Sequence, residues 1–229
     1  MSIRENLAAI RARMAAAATR AGRAPESVTL VAVSKYVPVE RIAEAMAAGQ
    51  ELFGENYLQE AEEKIGQLPA ALKWHCIGHL QSNKAKAAAT LFHMVETVDR
   101  IKLARMLDKY AAEAGRLLPV LIQVNVGREA QKAGVLPEEA AALLGEMREL
   151  AHLEVRGLMT MPPFFDQPEA ARPYFRALRE LAEALASKGL LGTHGAIELS
   201  MGMSGDFEVA IEEGATLVRV GTALFGARS

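Results

Sequence analysis

The chain has 229 residues, 51% of them hydrophobic, and its 26 basic and 28 acidic residues give a net charge of -2. Such a chain can bury one sizeable core, and its length is close to the ~250 residues of a single α/β barrel. Because the sequence shows no basic stripe, neither nucleic acid nor an anionic membrane is expected as its main partner. No apolar run approaches the ~18 residues of a membrane helix, and the single cysteine, Cys76, excludes an internal disulfide framework and indicates a cytoplasmic protein.

The first predicted element is an N-terminal helix. Ser2 and Glu5 have the spacing of a capping box, and Gly22 is placed to end the helix. Apolar residues recur at helical spacing between them: Ile3, Leu7, Ile10 and Met14. The Ala- and Arg-rich composition of residues 1–23 also resembles a mitochondrial transit peptide, but the capping and periodicity favour a helix that belongs to the fold.

Strand and helix patterns alternate along the rest of the chain. The predicted strands are 28–35, 52–56, 73–78, 94–98, 118–126, 153–161, 197–201 and 217–221. The predicted helices are 38–48, 56–66, 82–91, 99–114, 137–150, 168–188 and 204–213. Alternation implies parallel pairing, because each return to the same edge needs a crossover helix.

Eight parallel strands in a chain of this length predict a single (β/α)8 TIM-type barrel with an extra N-terminal helix, as one domain over residues 1–229. A doubly wound open sheet is the alternative. The sequence lacks the G-x-G-x-x-G phosphate fingerprint that such a sheet often carries after its first strand, and this favours the barrel.

Lys35 ends the first predicted strand, an apolar and β-branched run that Pro38 terminates. Functional sites of such barrels lie at the C-terminal ends of the strands, so the barrel places Lys35 on the ligand-binding face. Partial desolvation there favours the neutral, nucleophilic amine that forms imines with carbonyl compounds. The alternative is that Lys35 extends from the strand end into water.

Two segments near the C-terminus predict a phosphate site. Residues 199–204 and 220–223 each combine small residues, a hydroxyl and backbone N–H groups just before a helix. Barrels frequently bind phosphate at the loops after strands seven and eight. The alternative is that Ser200, Ser204 and Thr222 only cap helices.

Arg219 interrupts the otherwise apolar eighth strand and must be paired or must meet a ligand. A structural ion pair, to Glu198 or another inward acid, is one account. A phosphorylated aldehyde such as pyridoxal phosphate would use Lys35, both phosphate loops and Arg219, which would face the ring nitrogen. A permanent cation there disfavours protonation of that nitrogen and leaves a weak electron sink.

These residues lie in segments by which the chain resembles the pyridoxal phosphate homeostasis protein family, which is similar to the barrel domain of alanine racemases. The matching segments are 31–35 (VAVSK), 53–60 (FGENYLQE), 74–84 (WHCIGHLQSNK), 157–161 (GLMTM), 199–206 (LSMGMSGD) and 218–226 (VRVGTALFG). The resemblance implies that Lys35 forms a Schiff base with pyridoxal phosphate and that Arg219 lies at the pyridine nitrogen. It also implies Asn56 in the pocket and four residues near the phosphate: Ser200, Met201, Gly221 and Thr222.

The resemblance implies a protein that buffers or delivers pyridoxal phosphate to PLP-dependent apoenzymes with little or no turnover. A PLP-dependent racemase of the same lineage is the alternative. A racemase needs a second base opposite Lys35, and alanine racemases take this base from a separate domain. We do not expect that domain here, since the chain ends soon after Gly221. A Schiff-base aldolase for sugar phosphates ranks last, because it gives Arg219 no role.

His75 and His79 have a spacing that suits a metal pair on a helix. Here the spacing spans a predicted strand end, and a third ligand is not evident, so no metal site is predicted. His79 could line the pocket, and loop 127–134 is expected to be solvated.

Overall fold

The computed structural model describes residues 2–226, in which eight strands form a closed parallel barrel. The strands are Thr29–Val33 (β1), Leu52–Glu55 (β2), Lys73–Cys76 (β3), Met94–Val98 (β4), Leu118–Gln123 (β5), Leu153–Met159 (β6), Glu198–Ser200 (β7) and Leu217–Val220 (β8). The predicted (β/α)8 barrel is confirmed, and the open-sheet alternative is wrong because β8 pairs with β1. Met1 and residues 227–229, the ends of the predicted 1–229 domain, lie outside the described residues.

Helices surround the barrel. They are Ile3–Arg20 (α1), Val39–Ala47 (α2), Leu58–Ile65 (α3), Ala85–Leu91 (α4), Ile101–Glu113 (α5), Ala140–Met147 (α6), Arg172–Ser187 (α7), Phe207–Glu212 (α8) and Thr222–Phe225 (α9). Three predicted helices begin instead with a 3₁₀ turn, at Ser82–Lys84, Pro137–Glu139 and Pro168–Ala171. The sequence did not predict α9, because four residues carry no helical periodicity. None of the helices in residues 2–226 is long and apolar enough to cross a bilayer.

The N-terminal helix α1 is part of the fold, as predicted. The capping box is present: the Glu5 N–H donates to Ser2 Oγ at 3.3 Å, and the Ser2 N–H donates to Glu5 Oε2 at 2.7 Å. Its apolar face is buried, and Asn6 Nδ2 donates to the carbonyl of Leu224 at 2.9 Å. This contact attaches α1 to α9, directly behind the end of β8.

The core has two layers. Inside the barrel Val31, Met94, Leu121, Met159 and Leu217 pack together. The larger layer fills the space between the strands and the helices, where Phe53 and Trp74 pack with ring centroids 5.3 Å apart. Cys76 is buried, and this burial raises the pKa of its thiol to about 12, so it is a core residue rather than a reactive thiol.

Strand β1 is shorter than the predicted 28–35, because a tight turn begins at Ser34. The Val37 N–H donates to the Ser34 carbonyl at 2.9 Å, so Lys35 and Tyr36 occupy the two central positions of the turn. Tyr36 has φ 60, a left-handed conformation that costs a non-glycine residue on the order of 1–3 kcal/mol. Lys35 therefore lies on a strained turn rather than on the strand.

Gly157 provides a test of the barrel packing. A Cβ added there would lie 1.8 Å from the carbonyl oxygen of Glu198, so we expect Gly157→Ala to force β6 and β7 apart. The predicted loss in the free energy of unfolding is about 3 kcal/mol, measured by urea denaturation. The matched control is Gly145→Ala on the exposed face of α6, where nothing lies within 4 Å of the added Cβ. The control should gain about 0.5–1 kcal/mol, and equal effects of the two substitutions would contradict the close packing.

Candidate functional site

A cavity of about 260 Å³ lies at the C-terminal ends of the strands, as the barrel predicts. Five of the seven predicted site residues line it: Lys35, Asn56, Arg219, Gly221 and Thr222. The other two, Ser200 and Met201, are fully buried beneath the cavity and do not line it. The structure thus brings together residues from both ends of the chain.

Strand pairing explains this convergence. β1, which leads to Lys35, pairs with β2, which leads to Asn56, and with β8, which carries Arg219. A Cβ at Gly221 would lie 3.3 Å from the side chain of Val33, so the small residue lets the end of β8 lie close to β1. Lys35 is half-buried at the cavity wall.

Asn56 carries an unsatisfied acceptor at the cavity. Its Oδ1 is buried and accepts no hydrogen bond from any side chain or backbone group in residues 2–226. Such an acceptor is costly unless a ligand or water supplies a donor. Asn56 is among the residues that line the cavity, so a water molecule or a polar ligand bound there would be the source of such a donor.

The loop after β7 forms the polar side of the cavity through Met203, Ser204, Gly205 and Asp206. Ser204 Oγ accepts from the N–H groups of Gly221 and Ala223, each at 3.3 Å, so the hydroxyl hydrogen remains available to donate. Thr222 adds a second hydroxyl at the same side. This concentration of donors next to small residues suits a phosphate group, and it lies a few residues beyond the predicted Ser200 and Met201.

Asp206 holds this loop in place. Its Oδ1 accepts from the Met203 N–H at 2.6 Å, closing the loop around Ser204. Burial raises the pKa of the Asp206 carboxyl, while the Met203 N–H and the charge of Arg219 oppose that shift. Asp206 lies in the matching segment 199–206, and no role was predicted for it; its position just before α8, where a capping residue is expected, was the signal in the sequence.

Arg219 is buried inside the barrel, and a chain of hydrogen bonds compensates its charge. Its Nη1 donates to Ser200 Oγ at 2.5 Å, and its Nη2 donates to the Thr160 carbonyl at 2.8 Å. Ser200 Oγ in turn donates to Glu96 Oε2 at 2.5 Å, and Glu96 Oε1 lies 2.7 Å from Nδ1 of His75. Ser200 therefore connects Arg219 to a carboxylate on the opposite side of the barrel.

The nearest counter-charge is Glu96, an inward acid that was not named in advance, rather than Glu198. Burial raises the pKa of Glu96, but the hydrogen bond and charge of His75, with the charge of Arg219, lower it below its usual value. Burial lowers the pKa of Arg219, and the charges of Glu96 and Asp206 oppose that shift. The sequence did contain a signal for Glu96. Like Arg219, it is a charged residue in a buried strand, here β4, and such a residue needs a partner.

An apolar wall faces the polar loop. It consists of Val33 and Ile77 together with Met161, Phe164 and Phe165, which belong to the loop after β6. Phe164 is 83% exposed, so this side of the cavity is open to solvent. The arrangement suits a flat ring that carries an anionic group on one side.

The two histidines do not form a metal pair. His75 is buried against Glu96, whereas His79 is exposed and lies 3.6 Å from Asp99, outside the residues that line the cavity. Within residues 2–226, no group of three or more His, Cys, Asp or Glu side chains could hold a metal ion. Loop 127–134 is bonded to the cavity wall, because Lys132 Nζ donates to the Pro162 carbonyl at 2.9 Å.

Comparison with known proteins places this chain in a family. The sequence model described as "Alanine racemase, N-terminal domain" matches residues 6–229. The chain is 46% identical to the pyridoxal phosphate homeostasis protein of Pseudomonas aeruginosa, over 99% of this chain and 96% of that one. It is also 46% identical to the protein of that name from Escherichia coli K12, over 99% and 97% of the two chains.

Solved structures agree with the sequence comparison. PipY of Synechococcus elongatus, solved with PLP bound, matches with a TM-score of 0.84 and 39% identity, covering 98% of this chain and 100% of that one. An alanine racemase of Clostridium difficile matches with a TM-score of 0.75 and 15% identity, covering 99% of this chain and 57% of that one. The second likeness shows the barrel fold alone.

Glu96 provides a test of the buried charge network. We expect Glu96→Gln to lower the free energy of unfolding at neutral pH by about 3 kcal/mol, because it removes the buried carboxylate that is joined to Arg219 through Ser200 and bonded to His75. Urea denaturation measures the loss, with Glu146→Gln as the matched control: Glu146 is half-exposed, its pair with Arg105 lies at the surface, and its loss should be under about 1 kcal/mol.

The effect of Glu96 also has a defined pH dependence. Because its folded-state pKa is lowered, the stabilisation is fully present above the unfolded-state pKa and is lost as pH falls through the folded-state value. The difference between wild type and Glu96→Gln should therefore shrink in acid. A difference that stays constant with pH would contradict an ionised Glu96.

Proposed function

The chain belongs to the pyridoxal phosphate homeostasis protein family, and from that membership we propose that it is a single barrel domain that binds pyridoxal phosphate as a Schiff base on Lys35. It buffers the cofactor and delivers it to PLP-dependent apoenzymes with little or no turnover. The observation that carries this proposal is the convergence of Lys35, Arg219 and a donor-rich loop in one cavity. The single buried cysteine supports a cytoplasmic site of action.

The cavity residues fit this cofactor. The amine of Lys35 suits the aldehyde, the buried guanidinium of Arg219 suits the ring nitrogen, and Ser204 suits the phosphate. The unpaired Oδ1 of Asn56 supplies an acceptor for a ring substituent that donates. Gly221 and Thr222 complete the phosphate side, and Ser200 and Met201 act beneath it by supporting Arg219 and the loop.

Bound pyridoxal phosphate supplies an aldehyde carbon and a conjugated ring that can accept electrons. Lys35 would hold the cofactor through its amine: a C=N bond to that carbon would replace the C=O bond, with loss of one water molecule. The same bond is reversed by water or by another amine. The open side near Phe164 admits both, which suits storage and release of the cofactor.

Arg219 at the ring nitrogen would disfavour transamination. Because a guanidinium stays protonated, it would keep that nitrogen neutral, and a neutral ring withdraws electrons weakly. Such a site suits holding of the cofactor or proton transfer at a single carbon, so Arg219 does not by itself separate a carrier from a racemase. The hydrogen bonds from Arg219 to Ser200 and from Ser200 to Glu96 hold the guanidinium in place.

The racemase alternative requires a base on each face of the substrate carbon. Among the described residues that line the cavity, Lys35 and Asp206 carry the groups that could act as a base, and the Oδ1 of Asp206 is already bonded to the backbone of Met203. These lining residues include no tyrosine: Tyr36 and Tyr57 are exposed and pack against each other with ring centroids 5.5 Å apart, and Tyr174 stacks on the lining residue Phe165 with centroids 5.5 Å apart. This arrangement supports low turnover.

The covalent bond is tested by absorbance. Purified protein mixed with pyridoxal phosphate should develop the visible absorbance of a conjugated imine, and Lys35→Ala should abolish it. The matched control is Lys73→Ala: Lys73 is exposed at the start of β3, at the opposite end of the barrel, and its substitution should leave the absorbance intact. Full absorbance in Lys35→Ala would exclude Lys35 as the bonding residue.

Turnover is tested with L-alanine. We expect the protein loaded with pyridoxal phosphate to form no more D-alanine than the Lys35→Ala variant does, measured by chiral chromatography over many equivalents of substrate. Sustained conversion that depends on Lys35 would overturn the carrier proposal and favour the racemase.

A further inference from the structure

A buried cluster of three charged residues lies beneath the turn that carries Lys35. Lys64 on α3 is only 5% exposed, which is rare for a lysine and requires partners. Its Nζ donates to Glu55 Oε1 at 2.8 Å and to Glu60 Oε1 at 2.6 Å. Ser34 Oγ also donates to Glu55 Oε1, at 2.7 Å, which ties the cluster to the residue just before Lys35.

The cluster bonds to the backbone on both sides of Lys35. Before it, the Ser34 carbonyl accepts from Lys64 Nζ at 2.6 Å. After it, the Tyr36 N–H donates to Glu60 Oε1 at 2.5 Å. Since Glu60 also accepts from Lys64, the two backbone contacts belong to a single connected unit.

This unit holds a strained turn. Tyr36 has φ 60 at the third position of the turn, where glycine or asparagine is favoured. Strained backbone of this kind persists only when its surroundings fix it. The bond from the Tyr36 N–H to Glu60 and the bond from Lys64 to the Ser34 carbonyl both restrain the backbone, one on each side of Lys35.

Net stability alone does not account for such a cluster. Removing several charges from water costs free energy that their attraction only partly returns, and apolar residues of similar volume are often as stable. Two of its three charged side chains, Glu55 and Lys64, are almost fully enclosed. Its contacts converge on the turn that carries Lys35.

We propose that Glu55, Glu60 and Lys64 form a clamp that positions Lys35 by fixing the backbone on both sides of it. The clamp acts through the backbone: it holds the start of the lysine side chain at the cavity so that the amine reaches the aldehyde in a reactive orientation. The clamp residues are positioning residues, and the inference rests on the proposed function of Lys35. Misplacement of about 1 Å at a reacting group lowers rates by as much as about 100-fold.

Glu60 allows a clean test. Its side chain is 21% exposed, and its replacement leaves Lys64 paired with Glu55, so no buried charge loses its last partner. Glu60→Ala removes the acceptor of the Tyr36 N–H, whereas Glu60→Gln keeps an acceptor oxygen and removes the charge. We expect Glu60→Ala to slow the appearance of the visible absorbance after addition of pyridoxal phosphate by about tenfold or more. Glu60→Gln should restore the rate to within a few-fold of wild type.

A destabilised control separates positioning from general loss of stability. Leu107→Ala on α5 opens a cavity in the helix layer behind β4 and β5, away from β1. It should lower the unfolding midpoint at least as much as Glu60→Ala does, with little change in the capture rate. Equal slowing in Leu107→Ala and Glu60→Ala, or a Glu60→Ala rate within twofold of wild type, would overturn the clamp.

Amide hydrogen exchange tests the clamp in the protein without cofactor. The Tyr36 amide should exchange slowly in wild type and Glu60→Gln and faster in Glu60→Ala. A wild-type protein that forms no visible absorbance contradicts the proposed function of Lys35, and the exchange result then decides on the clamp by itself. Equal exchange in the three proteins would refute it.

Discussion

The pairing of β1 with β8 is the constraint on which the site depends. It closes the barrel and sets Val31 opposite Arg219, so that the residues that follow both strands meet at one end. Lys35 arrives from the start of the chain and Gly221 from its other end, and the small Gly221 allows the two strand ends to approach. Without closure, the amine and the donor-rich loop after β7 would lie on separate parts of an open sheet.

Closure also forces charges into the interior, and two networks compensate them in different ways. Inside the barrel, Ser200 relays between Arg219 and Glu96, so a cation faces the cavity while its counter-charge stays hidden. Between the barrel and the helices, Lys64 joins Glu55 and Glu60 beneath the turn of Lys35. The first network fixes the electrostatics of the site, and the second is suited to fix its geometry.

Much of this could be predicted from the sequence, because strand periodicity and chain order define the barrel, and the barrel alone places Lys35 and Arg219 on one face. Glu96 could not be paired with Arg219 in advance, since strand register decides which polar residues meet inside a barrel. The strained turn at Tyr36 had no sequence signal, because tyrosine is an unfavourable residue at its position. Ser200 is predicted near the phosphate, and that prediction stays untested; its bonds to Arg219 and Glu96 could not be foreseen, because they too depend on how the strands meet inside the barrel.

The covalent bond at Lys35 is the central claim, and reductive trapping tests it most directly. Borohydride reduction of the protein mixed with pyridoxal phosphate, followed by proteolysis and mass spectrometry, locates the modified lysine. We expect one phosphopyridoxyl group, on the peptide that contains Lys35, at stoichiometric cofactor. Modification spread over exposed lysines such as Lys73, with Lys35 unmodified, would contradict it.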